Sequence, residues 1–399
     1  MGLLSGVRVL DLTNVLAGPF AGYQLAQLGA DVIKVETPQG GDLARQLGAD
    51  PELNRRHMGV SFLAQNAGKR SITLNLKSPK GVAAFKRLVA TADVVIENFR
   101  PGVMDRLGLG PAVLMAAKPD LIYCAISGFG QDGPLRDNPA YDQIIQGLSG
   151  VMSVTGDADS APLRVGYPVA DTMGGITAAF AVAAALVQRG RTGKGEVIDV
   201  SMLESTLVAM GWAVSNWLIA GVAPRPMGNE NMTAAPSGTF RTGDGLLNIA
   251  ANKQEQFVTL CRLIGRDDLA ADPRFSEREE RKRHRAALTA EIEAALADRP
   301  AAEWSPLLNR HGVPAGEVLS VPAVLEHPQL VERGLLQRFE TVPGVDRPVR
   351  VVRSGFRLAS GDPAPSGPPP ALGADTGSIL AELGYSASEI DALRGEGAL

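Results

Sequence analysis

The chain has 399 residues, of which 45% are hydrophobic and 21% charged, and its formal net charge is −4 at neutral pH. Such a length suits two or three domains, and such a composition an ordinary soluble globular protein. The slight negative charge gives no general pull toward nucleic acid or acidic membrane surfaces, so neither is expected as a partner.

At the N-terminus "MGLLSGVRVL" lacks a basic region and carries too short an apolar run for a signal peptide. The first half then alternates strands and helices. "VRVLDL" (7–12) reads as a strand, and "GPFAGYQLAQLGA" (18–30) has helical spacing at Phe20, Leu25 and Leu28. "DVIKVE" (31–36) and "RSITLNL" (70–76) are strands. A helix follows, with Ser78 as N-cap and Pro79 in its first position. "DVVIENF" (93–99) and "LIYCAIS" (121–127) are continuous apolar runs of the kind buried in parallel sheets. The pattern predicts a doubly wound, Rossmann-like α/β domain over 1–220.

Beyond residue 220, "GVAPRPMGNENMTAAPSG" (221–238) reads as a linker. A hairpin around "TGDG" (242–245), a helix from about Lys253 and the charged stretch "SEREERKRHRAALTAEIEAAL" (276–296) predict a smaller α+β domain over 225–330. Strand character returns in "RPVRVVRSGFRL" (347–358), followed by a proline-rich connector (362–372) and a short helical tail. Residues 335–399 are expected to return to the large domain. Cys124 and Cys261 each lie in an apolar stretch and read as reduced thiols of a cytoplasmic protein.

Chemistry-bearing residues are few. The four histidines, His57, His284, His311 and His327, are scattered without metal-ligand spacing. No G-x-S-x-G elbow is present. "GFGQDG" (128–133) matches a dinucleotide fingerprint, but Pro134 and Pro139 follow where a helix should open. Arg45, Lys69, Arg70, Lys77 and Arg106 fall at strand ends or loops, where α/β sheets bind ligands and where converging cations would suit phosphates. In "YPVADTMGG" (167–175), Asp171 precedes the apolar run "ITAAFAVAAALV" (176–187), which falls short of the roughly 20 residues that span a bilayer. An N-cap is the plain reading of this aspartate. Gly174 and Gly175, poor helix residues at ~1 kcal/mol each, suggest instead that something approaches the backbone there.

Six segments carry a resemblance over nearly the whole chain: 6–36, 66–81, 92–110, "ISGFGQDGP" (126–134), "YPVADTMGG" (167–175) and "RTGKGEVIDVSMLE" (191–204). They resemble the class III CoA-transferases, the family of formyl-CoA transferase, carnitine CoA-transferase and 2-methylacyl-CoA racemase. The resemblance implies an Asp171 carboxylate that attacks an acyl-CoA thioester and carries aspartyl anhydride and aspartyl-CoA thioester intermediates. With a reference pKa of ~3.9 such a carboxylate is ionised at neutral pH, and the helix N-terminus would hold the developing oxyanion.

The resemblance also places Val15, Leu16 and Ala17 beside the nucleotide and pantetheine of CoA. It places Leu74, Lys77, Asn98, Phe99 and Arg106 around the adenine and 3′-phosphate; Arg45, by its position at a strand end or loop, is expected among the CoA-binding cations as well. CoA is then a substrate; no permanently bound cofactor and no metal are expected. Leu16 stands where formyl-CoA transferase has glutamine, which argues against formyl or oxalyl transfer. Tyr141 stands where the racemases have a proton-shuttling histidine; a tyrosine, with a reference pKa of ~10, donates a hydrogen bond instead. The expected activity is therefore CoA transfer from an acyl-CoA, succinyl-CoA foremost, to a small dicarboxylic acid. A racemase and a non-catalytic CoA-binding protein are the alternatives. The family's interlocked dimer, with linkers near 221–238 and 326–336 closing each ring, is the expected assembly.

Overall fold

Six parallel strands form the central sheet of this computed structural model, which describes residues 2–399: β1 (Arg8–Asp11), β2 (Asp31–Glu36), β3 (Arg70–Thr73), β4 (Val94–Glu97), β5 (Ile122–Ser127) and β6 (Glu196–Ser201). Their order is β3-β2-β1-β4-β5-β6, every neighbouring pair parallel. The strand order reverses between β1 and β4. There the loops leaving the two carboxyl ends diverge and open a crevice, the usual ligand position in such sheets.

Helices connect the strands: α1 (Ala17–Gln27), the short α2 (Pro51–Arg55) and α3 (Val60–Leu63), α4 (Pro79–Val89), α5 (Val103–Arg106), α6 (Pro111–Ala117), α7 (Asp142–Leu148), α8 (Val169–Thr192), α9 (Met202–Ala209) and α10 (Gly211–Ala220). Alternate residues of each strand face opposite layers. Leu10, Ile33, Ile72 and Val95 pack with Phe85 and Leu88 of α4 on one face. Val9, Val32, Val94 and Ile96 pack with Leu25 of α1 and Ala178 and Val182 of α8 on the other. The expected strands appear within a few residues of their predicted bounds. β6 was not anticipated, because its first four residues, Glu196–Asp199, are mostly exposed at the sheet edge and lack an apolar run.

The chain divides into two compact units: Met1–Val151 with Arg164–Val222 and Arg333–Leu399, and Met152–Leu163 with Ala223–Glu332. Nothing in the sequence marks the excursion at 152–163. In the second unit β7 (Ser237–Arg241), β8 (Leu246–Ala250) and β9 (Ala315–Glu317) form an antiparallel sheet. Its other elements are α11 (Gln254–Leu263), α12 (Asp267–Ala271), α13 (Arg278–Arg283), α14 (Arg285–Leu296), α15 (Ala301–Arg310), α16 (Val321–Leu325) and α17 (Pro328–Glu332). Phe257, Leu260, Phe275, Ile292 and Trp304 fill its core.

The last segment carries the β10 (Leu336–Phe339) and β11 (Val349–Val352) hairpin, then α18 (Thr376–Glu382) and α19 (Ala387–Gly395). It returns to the first unit: Tyr23 Oη donates to Val352 O at 2.8 Å, and Asp375 accepts from Ser71 N at 2.8 Å.

Helix α8 runs 24 residues, twice the apolar stretch that announced it, and is long and apolar enough to cross a membrane by length and composition alone. Ala170, Gly174, Gly175, Ala178, Val182 and Ala185 are its buried face. The two glycines admit protein. A Cβ at Gly175 would lie 2.5 Å from Ala17 O and 3.0 Å from Phe20 Cδ1, and one at Gly174 would lie 2.9 Å from Met202 Cγ. What approaches the α8 backbone is therefore α1 and Met202; the glycine pair sets helix packing and does not make room for a ligand.

Candidate active site

Asp171 is the third residue of α8, not its N-cap; Pro168 holds that position and has no side-chain donor or acceptor to offer. The capping is done from α7. Asp142 Oδ1 accepts from Ala170 N at 2.9 Å and from Asp171 N at 3.4 Å, while its Oδ2 accepts from Gln146 Nε2 at 2.7 Å. Val169 N and Thr172 N are bonded to Tyr167 O and Pro168 O. All four N–H groups at the start of α8 are thus engaged, and the expected oxyanion site there does not exist.

The Asp171 carboxyl is pushed up to about 7, by burial first and by the neighbouring Asp142 second. This corrects the expectation of an ordinary aspartate near its reference value. Arg164 Nη2 lies 3.4 Å from the Oδ2 of Asp142, but no cation pairs with Asp171 itself among the described residues, so at neutral pH the group is divided between its two forms.

Asp171 opens into a cavity of about 300 Å³ at the strand-order reversal. Asn14, Val15 and Leu16 line it from the β1 loop, Asn98, Phe99 and Arg100 from the β4 loop, and Arg136 and Tyr141 from the segment before α7. Tyr141 is 68% exposed, which leaves its hydroxyl available. A second cavity of about 280 Å³ is lined by Leu74, Lys77, Val103 and Leu107, and shares Asn14 and Phe99 with the first. Phe99 is placed by Glu97, whose Oε2 accepts from Phe99 N at 2.7 Å. Burial pushes the Glu97 carboxyl up to about 7, against the hydrogen bonds from Phe99 N and Tyr123.

The other predicted residues fare differently. Ala17 is buried in the first turn of α1 and lines neither cavity. Asn98 lines the first cavity, but its amide grips the opposite loop, accepting from Asn14 N and donating to Asn14 O, each at 2.8 Å. Arg106 is exposed and lies outside both cavities, although its neighbours Val103 and Leu107 line the second.

Arg45 is not a ligand-binding cation. It is wholly buried, bidentate on Glu36 at 2.7 and 2.8 Å, stacked 3.6 Å from the Phe62 ring, and bonded to the carbonyls of His57 and Pro370. Lys69 is buried against Asp11, Asn66 and Pro19 O, and Arg70 pairs with Asp31 and Glu382. Of the five basic residues read as phosphate candidates, only Lys77 and Arg106 have no such partner among the described residues.

The β1 loop has unusual geometry. Val15 has φ 69°, a left-handed conformation that costs a β-branched residue about 1–3 kcal/mol and collects at functional sites. Immediately after it, the N–H groups of Leu16, Ala17 and Gly18 have no acceptor among the described residues. Sequence reasoning missed these donors, along with Asp142, Glu97, Arg100 and Arg136. Only Asp142, adjacent to Tyr141, carried any local signal.

Comparison with known proteins bears on this geometry. A family model described as CoA-transferase family III matches residues 4–376. An acetyl-CoA:oxalate CoA-transferase of Acetobacter aceti is 42% identical over 356 residues, covering 89% of this chain and 90% of the relative. A succinate–glutarate CoA-transferase of Agrobacterium fabrum is 38% identical over 388 residues, covering 95% of each. The crystal structure of a CAIB/BAIF family protein from Brucella suis superposes with a TM-score of 0.84 at 37% identity, covering 96% of this chain and 99% of that one.

Proposed function

This chain belongs to CoA-transferase family III, and we propose that it carries CoA from succinyl-CoA to a small dicarboxylic acid with Asp171 as the covalent carrier. The observation that carries the reading is the Asp171 carboxylate facing a cavity whose other charged lining residues are Arg100 and Arg136. A nucleophilic carboxylate needs no base, only ionisation and a thioester within roughly 3–3.5 Å.

In the first step the Asp171 carboxylate attacks the thioester carbonyl, forming a mixed anhydride and expelling CoA thiolate. The thiolate then attacks the aspartyl carbonyl, giving aspartyl-CoA thioester and free succinate. The acceptor carboxylate attacks that thioester, again expelling thiolate and forming the second anhydride. Thiolate attack on the acceptor acyl carbon yields the new acyl-CoA and restores Asp171. Each tetrahedral oxyanion needs a donor, and the free N–H group of Leu16, which lines the cavity, supplies one in place of the fully bonded α8 terminus. Tyr141 adds a hydroxyl donor.

The adenine end of CoA occupies the cavity of Leu74, Phe99 and Lys77, with Lys77 and Arg106 at the phosphates. Arg100 and Arg136 suit the far carboxylate of a dicarboxylic acid. The Agrobacterium relative is named for succinate and glutarate, which supports this choice; the Acetobacter relative is named for acetyl-CoA and oxalate. The deciding experiment is a matrix of succinyl-CoA and acetyl-CoA against glutarate, itaconate, mesaconate, citramalate, oxalate and monocarboxylic acids, with products read by mass spectrometry. Efficient turnover only with monocarboxylic acids or only with acetyl-CoA and oxalate would refute the substrate reading.

The protein works as a cytoplasmic homodimer in this reading. α10 has no buried residue, and Val208, Trp212, Trp217, Leu218 and Ile219 form an exposed apolar face on α9 and α10. A second copy of the chain covers it. A monomer at micromolar concentration in sedimentation would exclude this assembly.

A further inference from the structure

Asp42 lies in "GGDLAR" (40–45), three residues before the buried Arg45. It is 1% exposed. Its Oδ1 accepts from Val15 N at 2.9 Å and from Ala44 N at 2.8 Å, and its Oδ2 lies 2.9 Å from Lys34 Nζ. Lys34, also fully buried, donates to Thr13 O at 2.8 Å.

The arrangement repeats along the loop. Asp11 Oδ1 accepts from Thr13 N at 3.0 Å, Asn98 Oδ1 accepts from Asn14 N at 2.8 Å, and Asp42 takes Val15 N. Three consecutive N–H groups are therefore held by three side chains, from the end of β1, the loop after β4 and the loop after β2. The next donor, Leu16 N, has no acceptor among the described residues, and Leu16 lines the first cavity. The change occurs at Val15, the residue forced into the left-handed region.

We propose that Asp42 is a positioning residue for the transfer reaction. By accepting from Val15 N it holds the strained turn, and the turn fixes where the Leu16 N–H group stands over the thioester carbonyl. The inference rests on the reading of that N–H group as an oxyanion donor. Without Asp42, Val15 relaxes to negative φ and the donor swings away from the reacting carbon. CoA binding through the adenine cavity is untouched, since Leu74, Lys77 and Phe99 are placed by other elements.

The test is kinetic. Asp42→Ala should lower kcat about hundredfold, the scale of a lost oxyanion donor, while KM for acyl-CoA changes less than about threefold, as for an interaction made only in the transition state. Val15→Gly alone should reduce kcat several-fold, because glycine leaves the turn freer. Placed in the Asp42→Ala background, Val15→Gly should recover about tenfold in kcat, because glycine adopts positive φ without strain. A merely structural Asp42 would give the opposite: the two losses would multiply. Should Asp42→Ala fail to fold for want of the buried Lys34–Asp42 pair, Val15→Pro decides. It keeps Asp42 and Lys34, removes the N–H, and fixes φ near −65°. It should lose about hundredfold in kcat, and retention within about threefold would overturn the proposal. Hydroxylamine trapping on each variant separates this from the nucleophile assignment. The variants should still label Asp171, only more slowly. If wild type labels elsewhere, the nucleophile assignment falls, and the kcat comparison still decides the role of Asp42.

Discussion

Replacing Asp171 by asparagine should abolish transfer and, at alkaline pH, stabilise the protein. Burial and Asp142 raise the Asp171 carboxyl from 3.8 to about 7. The folded state therefore binds this proton more tightly than the unfolded chain. Below pH ~4 the group is protonated in both states and adds no penalty. As pH rises from there to about 7, the unfolded chain ionises first and stability is lost; above about 7 the loss is complete. At roughly 1.4 kcal/mol per unit, the full penalty is about 4 kcal/mol, an upper bound because Asp171 borders a cavity. Asparagine keeps the shape and removes the charge. By the same arithmetic, the variant's advantage should grow by about 2–3 kcal/mol between pH 5 and pH 8. Equilibrium denaturant unfolding of the ligand-free protein and variant at these two pH values measures it. Equal or lower stability of Asp171→Asn at pH 8 would refute the electrostatic account of the site.

The same ionisation should govern the wild-type rate: kcat/KM for acyl-CoA should rise with pH and level off above about 7. Asp142→Asn should move that rise to lower pH, since the amide oxygen can still cap Ala170 N while the second charge is gone; an unmoved profile would contradict the pairing. Gly175→Ala should destabilise the protein by about 1–3 kcal/mol in thermal or chemical unfolding, because its Cβ meets the backbone oxygen of Ala17, which cannot turn aside. A 2-methylacyl-CoA incubated in heavy water without an acceptor acid should show no α-deuteration at turnover rates; rapid exchange would restore the racemase reading that Tyr141 argues against.

The doubly wound sheet was legible because its central strands are continuous apolar runs with glycine-marked ends, and β2 appears over its predicted span. The edge strand β6 was not, since an exposed edge carries no such run. At the site, Asp171 stood out by its context, yet two local inferences about it failed. Its cap role belongs to Asp142, 29 residues earlier, and its ionisation is set by burial that no local pattern records. Arg45 misled for the same reason. An arginine at a loop is read as available, and only the tertiary structure shows it enclosed by Glu36, Phe62 and Pro370 O. The oxyanion donor proposed at Leu16 is a backbone group, which no residue-type pattern can name.

The central claim, that Asp171 becomes acylated, is tested most directly by trapping. Wild-type protein turning over succinyl-CoA is quenched with hydroxylamine, digested and sequenced by mass spectrometry. The account predicts a hydroxamate on Asp171, absent without acyl-CoA and absent in Asp171→Asn. A hydroxamate on another residue, or undiminished transfer by Asp171→Asn with no label at all, would contradict it.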